Sequence, residues 1–186
     1  MPLSKIWERG QQGGITRPIN PVVLYQNTLD VVRVFEACGI KCWLSHGTML
    51  GAYRDGEFIP WDDDSDLGAD HRTAGRRLEA EERLRDVGFF VPKSGVEGMP
   101  PHDTVAIRDG EKVEVWWFEK IGDKYVYDVD RTLWLQHDEK YYDTLDYFTW
   151  KNHEFKIPSH IEDWLVMMYS EDWKVPQKGR KYNNQG

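Results

Sequence analysis

The spacing of apolar positions in the first part of the chain predicts a helix followed by a buried strand. Asn20 before Pro21 is typical of a helix start, because asparagine caps free amides and proline fits the first turn. Apolar side chains then recur at helical spacing as far as Phe35, and Gly39 is typical of a helix end. Residues 40–45 are short, apolar and bounded by breakers, which indicates a buried strand.

The next third of the chain predicts a turn, a strand and a charged helix. Residues 47–54 read as a glycine-flanked turn that enters a short helix, and residues 64–69 as a second strand. Residues 72–87 are predicted to be helical, ending at Gly88. The apolar side of that helix would consist of Leu78, Leu84 and Val87.

The second half predicts three or four strands, then a hairpin and a last helix. The strands are expected near residues 89–91, 104–108, 112–119 and 125–129, with Asp109-Gly110 as a hairpin turn. Residues 147–150 and 154–157 flank Asn152 as a second hairpin, and residues 160–169 follow as a helix. Mixed strands and helices with hairpins indicate an α+β fold, in which helices flank a mixed or mostly antiparallel sheet.

Composition narrows the class of protein. The 186 residues suit a single domain over residues 20–173, with a flexible lead-in (1–19) and a mobile basic tail (174–186). A net charge of −8 disfavours binding to a nucleic acid backbone. No apolar run approaches the roughly 20 residues of a membrane span, and two cysteines are too few for a disulfide framework. We therefore expect a cytoplasmic protein without nucleic acid partners.

An acidic cluster is the most unusual segment of the chain. Asp62, Asp63, Asp64 and Asp66 follow the apolar residues 59–61 and lead into a predicted strand. Residues two apart in a strand share a face about 6.6 Å apart, so Asp64 and Asp66 point the same way. Mg²⁺, commonly held by one or two carboxylates and substrate phosphates, would remove their repulsion. The alternative is a solvated acidic loop.

Two further features change this picture. Glu114 lies inside the apolar strand 112–118, where a charge is costly unless it is paired or metal-bound; alternatively it faces solvent on an open side. Gly47 and Thr48 begin a predicted helix, whose free amides suit phosphate, and Arg54 offers a bidentate phosphate ligand. The alternative for this segment is an ordinary strand–helix turn capped by Thr48.

The motif HGTMLGAYRDGEFIPWDDDSDLG, residues 46–68, resembles the signature of the LicD family, which includes phosphocholine and fukutin-type transferases of the nucleotidyltransferase-fold superfamily. Residues 113–115 and 157–176 are similar to its later patterns. The resemblance implies a nucleotidyltransferase-like fold, with Asp64, Asp66 and Glu114 as metal ligands and Asp62 as an accessory acid. It also implies that Gly47 and Thr48 contact phosphate, and that Glu114 or Asp62 accepts the acceptor's proton.

The resemblance also implies a reaction and its partners. Such enzymes move a phospho-alcohol group from a CDP-activated donor to a sugar hydroxyl of a glycan with Mg²⁺, or Mn²⁺ in its place, and CMP leaves. Two alternatives stay open: transfer of a nucleoside monophosphate to a small molecule, and binding of nucleotide or glycan without turnover. The chain departs from the family pattern at Ser65, Glu114 and Ser170.

Overall fold

A computed structural model describes residues 18–92, 103–128 and 134–179. Within these residues a six-stranded sheet and a separate two-stranded hairpin are flanked by helices, which confirms the predicted α+β class. The α-helices are α1 (Pro21–Ala37), α2 (His46–Asp55), α3 (Arg77–Asp86) and α4 (Ile161–Tyr169), and two 3₁₀ helices span His71–Arg76 and Glu139–Tyr141. The strands are β1 (Cys42–Leu44), β2 (Asp64–Asp70), β3 (Asp103–Arg108), β4 (Glu111–Ile121), β5 (Lys124–Asp128), β6 (Trp134–Asp138), β7 (Leu145–Trp150) and β8 (His153–Pro158).

The six-stranded sheet contains one parallel pair. Its order is β1-β2-β4-β5-β6, with β3 also paired to β4, and every pairing except β2 with β4 is antiparallel. A parallel pair needs a crossover connection, and here the chain returns through a 3₁₀ helix, α3 and β3. The parallel register sets Asp64 opposite Lys112 and Asp66 opposite Glu114.

The hydrophobic core joins the sheet to the four α-helices and the hairpin. Leu24 and Phe35 of α1 are fully buried, and burying a side chain of this size contributes roughly 1.5–3 kcal/mol. Gly68 in β2 allows a close approach, because a Cβ there would lie 2.3 Å from Trp43 Nε1. Cys38 and Cys42 are buried and free, so neither forms a disulfide. Among the described residues, no helix has the length and apolarity needed to cross a membrane.

Local sequence signals located several elements correctly. The Asn20 side chain accepts hydrogen bonds from the first amides of α1, and Gly39 ends that helix region at φ 68°. Asp109 and Gly110 both have positive φ in the β3–β4 turn, as do Lys151 and Asn152 in the β7–β8 turn. Two consecutive left-handed residues are the geometry that a tight hairpin turn requires.

The predicted helix 72–87 was wrong in its start and in two of the three residues of its apolar side, whereas Leu84 is fully buried as predicted. It begins as a 3₁₀ helix, and Leu78 and Val87 are 70% and 49% exposed. Glu81 is buried instead, because Arg77 Nε donates to its carboxylate at 2.8 Å and Thr104 Oγ1 at 3.2 Å. A paired charge thus joins Leu84 on the inward side of the helix, a position that the apolar pattern does not predict.

Other expectations concern short or terminal segments. The strand near residues 89–91 reduces to a single bridge between Phe90 and Ile107, so that prediction was wrong. Residues 1–17 of the predicted lead-in and residues 180–186 of the predicted tail lie outside the described residues, as does Val129 at the end of a predicted strand.

Candidate active site

Three aspartates converge where β2 begins. One carboxylate oxygen each of Asp62, Asp64 and Asp66 lies within 4.8 Å of the others. Asp64 and Asp66 share a face of β2, as alternation predicts, and Asp62 lies in the loop before it. Asp64 and Asp66 are buried, at 9% and 7% exposure, so the segment is not a solvated loop.

The electrostatics of the three aspartates fit a hard divalent cation. Burial, followed by the charge of Asp64, raises the pKa of Asp62 to about 7 and holds the pKa of Asp66 well above its usual range. Carboxylates packed this closely repel each other unless a proton or a cation lies between them. An all-oxygen donor set of this kind is the one that Mg²⁺ and Mn²⁺ take in proteins.

Glu114 stands beside this group but is not one of the three. Lys112 Nζ lies 3.3 Å from Glu114 Oε2 and 2.7 Å from Asp64 Oδ2. The side chain of Glu114 is largely buried rather than pointing to solvent. The metal set predicted from the sequence was Asp64, Asp66 and Glu114, whereas the oxygens that converge belong to Asp62, Asp64 and Asp66. Lys112, which the register sets opposite Asp64, is the ion-pair partner of Glu114.

Gly47 and Thr48 lie in the first turn of α2, and both serve the aspartates. A Cβ on Gly47 would lie 2.3 Å from Asp62 Oδ2, so the glycine makes room for that carboxylate. Thr48 Oγ1 accepts a hydrogen bond from the Asp66 amide at 2.8 Å. The hydroxyl expected to contact phosphate or to cap its own helix therefore joins α2 to β2, and phosphate contact by this turn stays a prediction.

Buried hydroxyls extend this link to a third element. Ser65 Oγ lies 2.8 Å from Thr28 Oγ1 of α1 and 3.3 Å from Thr48 Oγ1. Ser65, one of the departures from the family pattern, is fully buried. Its polar side chain is satisfied by two threonines that come from helices distant in sequence, which no local signal could reveal.

Aromatic residues support Asp66 from the side of β4. Trp116 Nε1 donates to Asp66 Oδ1 at 3.1 Å, and its ring centroid lies 5.4 Å from that of His46. His46 Nε2 lies 2.9 Å from the Tyr127 hydroxyl. Burial lowers the pKa of His46 to about 3, so this ring is neutral at pH 7. Sequence reasoning missed these roles, although Trp116 lies two residues after Glu114 and hence on the same face of β4.

A cavity of about 370 Å³ opens next to the aspartates. Arg54, predicted as a phosphate ligand, lies on its wall and is held by Asp55 Oδ2 at 2.6 Å and by the Trp173 carbonyl at 3.4 Å. Lys178, from the segment predicted as a basic tail, lies on the same wall. The lining residues are Gly47, Leu50, Arg54, Ile59, Trp61, Asp62, Tyr169, Gln177, Lys178 and Gly179.

Comparison with known proteins gives one family match and several partial relatives. The model of the family described as LicD/FKTN/FKRP, nucleotidyltransferase domain, matches residues 39–176. Ribitol 5-phosphate transferase FKRP of Mus musculus is 39% identical over 92 residues, which are 47% of this chain and 18% of that protein. The Homo sapiens protein of the same name is 44% identical over 73 residues, covering 37% and 14%. Each match therefore spans less than a fifth of the relative.

Among solved structures, the antibiotic-resistance factor ANT(2'')-Ia is similar with a TM-score of 0.43 and 16% identity. The similarity covers 56% of this chain and 52% of that chain.

Proposed function

This chain belongs to the LicD family, whose model matches residues 39–176, and we propose that it transfers a phospho-alcohol group from a CDP-activated donor to a sugar hydroxyl of a glycan. The group would be of the phosphocholine or ribitol-phosphate type. One observation carries the proposal: three aspartates converge, and one of them, Asp62, lines a cavity that also has cationic residues on its wall. The activity of the FKRP relatives, ribitol 5-phosphate transfer, supports the phospho-alcohol class.

The cavity suits a donor of this kind. Its volume, about 370 Å³, falls within the range of small-molecule sites. Arg54 and Lys178 offer positive charge to donor phosphates. The Arg54 guanidinium is engaged by Asp55 and the Trp173 carbonyl and contributes its charge, whereas the exposed Lys178 ammonium can contact the phosphates directly. Trp61 is 38% exposed at the same cavity, so its ring is open to a base or a sugar. We assign Arg54, Lys178 and Trp61 to donor binding.

We propose Mg²⁺, with Mn²⁺ as the alternative, as the cofactor held by Asp62, Asp64 and Asp66. When bound, the cation would supply positive charge against the negative charge that develops on the transferred phosphoryl group. The chain's own contribution is positioning: Thr48 and Trp116 fix Asp66 through its amide and its carboxylate. Such positioning is the main source of rate in phosphoryl transfer.

The sugar hydroxyl must lose a proton as it attacks phosphorus. Of the two acids considered for this role, Asp62 lines the cavity, whereas Glu114 is held by Lys112 at 3.3 Å. A base must lie within hydrogen-bond reach of the proton that it removes. We therefore assign the proton to Asp62, and we assign to Glu114 a supporting role beside Asp64.

A product assay tests the proposal. The protein is incubated with Mg²⁺, a glycan acceptor and, in turn, CDP-choline, CDP-ribitol and CTP. Release of CMP from a CDP donor supports the proposal, whereas release of pyrophosphate from CTP would favour nucleotidyl transfer. Asp64→Asn should abolish turnover, while the control Asp146→Asn, at an exposed position in β7, should not.

A binding assay separates an inactive family member from an enzyme that lacks its acceptor. A donor at ten times its dissociation constant adds about 1.4 kcal/mol, or roughly 3–6 °C in melting temperature. We expect a shift that requires Mg²⁺ and disappears in Asp64→Asn. Equal shifts with and without Mg²⁺, together with no product from any donor, would contradict the proposed function.

A further inference from the structure

A lysine stands among the acids of the candidate site. Lys112 Nζ lies 2.7 Å from Asp64 Oδ2 and 3.3 Å from Glu114 Oε2, and 24% of its side chain is exposed. Within the part of the chain that the structure describes, no other cation forms an ion pair with these two carboxylates. Two contacts hold the ammonium group in a fixed position between them.

The parallel register of β2 and β4 puts the lysine there. Asp64 pairs with Lys112, and Asp66 pairs with Glu114. Since residues two apart share a face of a strand, these four side chains form a two-by-two patch of three acids and one base. Val113, between Lys112 and Glu114, is fully buried, as the opposite face requires. The backbone pairing that positions the acids therefore also positions the base.

The carboxylates of the site fall into two groups that share Asp64. Asp62, Asp64 and Asp66 converge within 4.8 Å of one another, and Glu114 lies outside this set. The second group consists of Asp64 and Glu114 with the Lys112 ammonium between them. A divalent cation in the second group would have to displace that ammonium or sit beside it, and like charges this close repel strongly when they are largely buried.

We propose that the site takes one divalent cation per chain, on Asp62, Asp64 and Asp66, and that Lys112 supplies a second, permanent positive charge between Asp64 and Glu114. The inference rests on the proposed function and deepens it, because it fixes how many cations that site accepts. Lys112 is a positioning residue in this scheme. It holds the Asp64 carboxylate through an ion pair and excludes a second ion.

Manganese binding tests the inference without any turnover. Free Mn²⁺ is followed by electron paramagnetic resonance during titration of the wild type, Lys112→Met and Lys120→Met. Methionine approximates the length of lysine without its charge. Lys120 is the matched control, since its ammonium lies 2.8 Å from Glu139 and 2.7 Å from Asp143, both exposed.

We expect one Mn²⁺ on the wild type and on Lys120→Met. Lys112→Met should bind a second Mn²⁺, or bind one with a dissociation constant about tenfold lower. Should Lys112→Met fail to fold, Lys112→Met combined with Glu114→Gln restores the charge balance of the patch; the proposal then requires this double variant to bind a single ion.

Three results would overturn the inference: two Mn²⁺ ions on the wild type, a Lys112→Met titration that matches that of Lys120→Met, or two ions on the double variant. CMP release by the wild type, measured in parallel, separates this inference from the proposed function. One bound ion, with no CMP release and donor shifts that are equal with and without Mg²⁺, retains the inference and contradicts the function, whereas CMP release with two bound ions does the reverse. No Mn²⁺ binding by any of these proteins would overturn both.

Discussion

Thr48 Oγ1 accepts a hydrogen bond from the Asp66 amide at 2.8 Å, which ties the first turn of α2 to the middle of β2. Thr48→Val keeps the shape of the side chain but leaves that buried amide without its acceptor. We expect a loss of about 1–3 kcal/mol in the free energy of unfolding, together with weaker Mn²⁺ binding because Asp66 is no longer fixed. Urea denaturation and Mn²⁺ titration measure the two effects. Thr48→Ser, which keeps the hydroxyl, is the control, and equal stability of the two variants would contradict this role.

Gly47 gives the Asp62 carboxylate its space. In Gly47→Ala the new Cβ would lie 2.3 Å from Asp62 Oδ2, so the carboxylate must move. Because the end of a side chain moves cheaply, we expect the fold to survive and Mn²⁺ affinity to fall about tenfold, or 1.4 kcal/mol. Gly75→Ala is the matched control, since nothing lies within 4 Å of a Cβ there. Unchanged Mn²⁺ affinity in Gly47→Ala would remove Asp62 from the metal set.

Lys178 brings the segment after α4 to the cavity wall. Lys178→Ala should raise the dissociation constant of a CDP-activated donor about fivefold, which corresponds to roughly 1 kcal/mol for a largely exposed charge. Calorimetric titration measures the change. Lys174→Ala tests the specificity of the effect, because the Lys174 ammonium instead lies 5.0 Å from the Trp173 ring centroid. Equal losses in both variants would indicate a general effect of charge rather than a contact in the cavity.

Ser170 follows α4 with φ 73° and ψ 172°, a conformation that is essentially reserved for glycine. Ser170→Gly should therefore raise the free energy of unfolding by about 1 kcal/mol and the melting temperature by roughly 2–4 °C. Glu171→Gly, at a neighbouring position without positive φ, should lower stability instead. If Ser170→Gly is less stable than the wild type, contacts of the serine side chain outweigh the backbone strain.

His137 makes stability depend on pH. Burial lowers its pKa from 6.5 to about 3, and its Nδ1 lies 2.5 Å from the Tyr142 hydroxyl. Between pH 6.5 and 3 the unfolded chain therefore protonates His137 while the folded protein keeps it neutral. The contribution of neutral His137 to the free energy of unfolding is complete above pH 6.5 and declines as the pH falls toward 3. The slope approaches about 1.4 kcal/mol per pH unit.

The His137→Asn variant keeps a polar partner for Tyr142 and removes the titrating ring. We measure its free energy of unfolding by denaturation between pH 7.5 and 4.5. As the pH falls, this free energy should decrease less steeply than that of the wild type, and the two slopes should differ by about 1.4 kcal/mol per pH unit. Parallel pH profiles for the two proteins would show that His137 is protonated in the folded state.

Strong local signals made much of the fold predictable. Asn20, Pro21 and Gly39 mark α1 because caps act on the neighbouring backbone, and Asp109-Gly110 fixes a hairpin for the same reason. Of the inward side of α3, Leu84 was predictable but Glu81 was not, because its burial depends on Arg77 of the same helix together with Thr104 of β3. Hydrophobic patterns assign apolar residues to inward positions, so they do not predict a charged residue that is buried with a partner.

The candidate site was located from the sequence, but its internal arrangement was not. Alternation correctly places Asp64 and Asp66 on one face, since it depends on one strand alone. The position of Glu114 relative to them depends on the β2–β4 register, and that register brings Lys112 into the patch. The hydrogen bond between Thr48 and Asp66 likewise joins α2 to β2, and the periodicity of a sequence does not predict how two elements pack together. The roles of all these residues in binding and catalysis stay predictions.

The parallel pairing of β2 with β4 has a consequence for the order of folding. During synthesis, the aspartates of residues 62–66 appear well before Lys112. The chain between β2 and β4 must then form its crossover connection before the two strands can pair. Until the strands pair, the acids repel one another without the Lys112 charge among them, and pairing must still overcome the entropy cost of closing the loop. The β2–β4 seam should therefore form late, and ionic strength or divalent cations should accelerate this step by screening the acids.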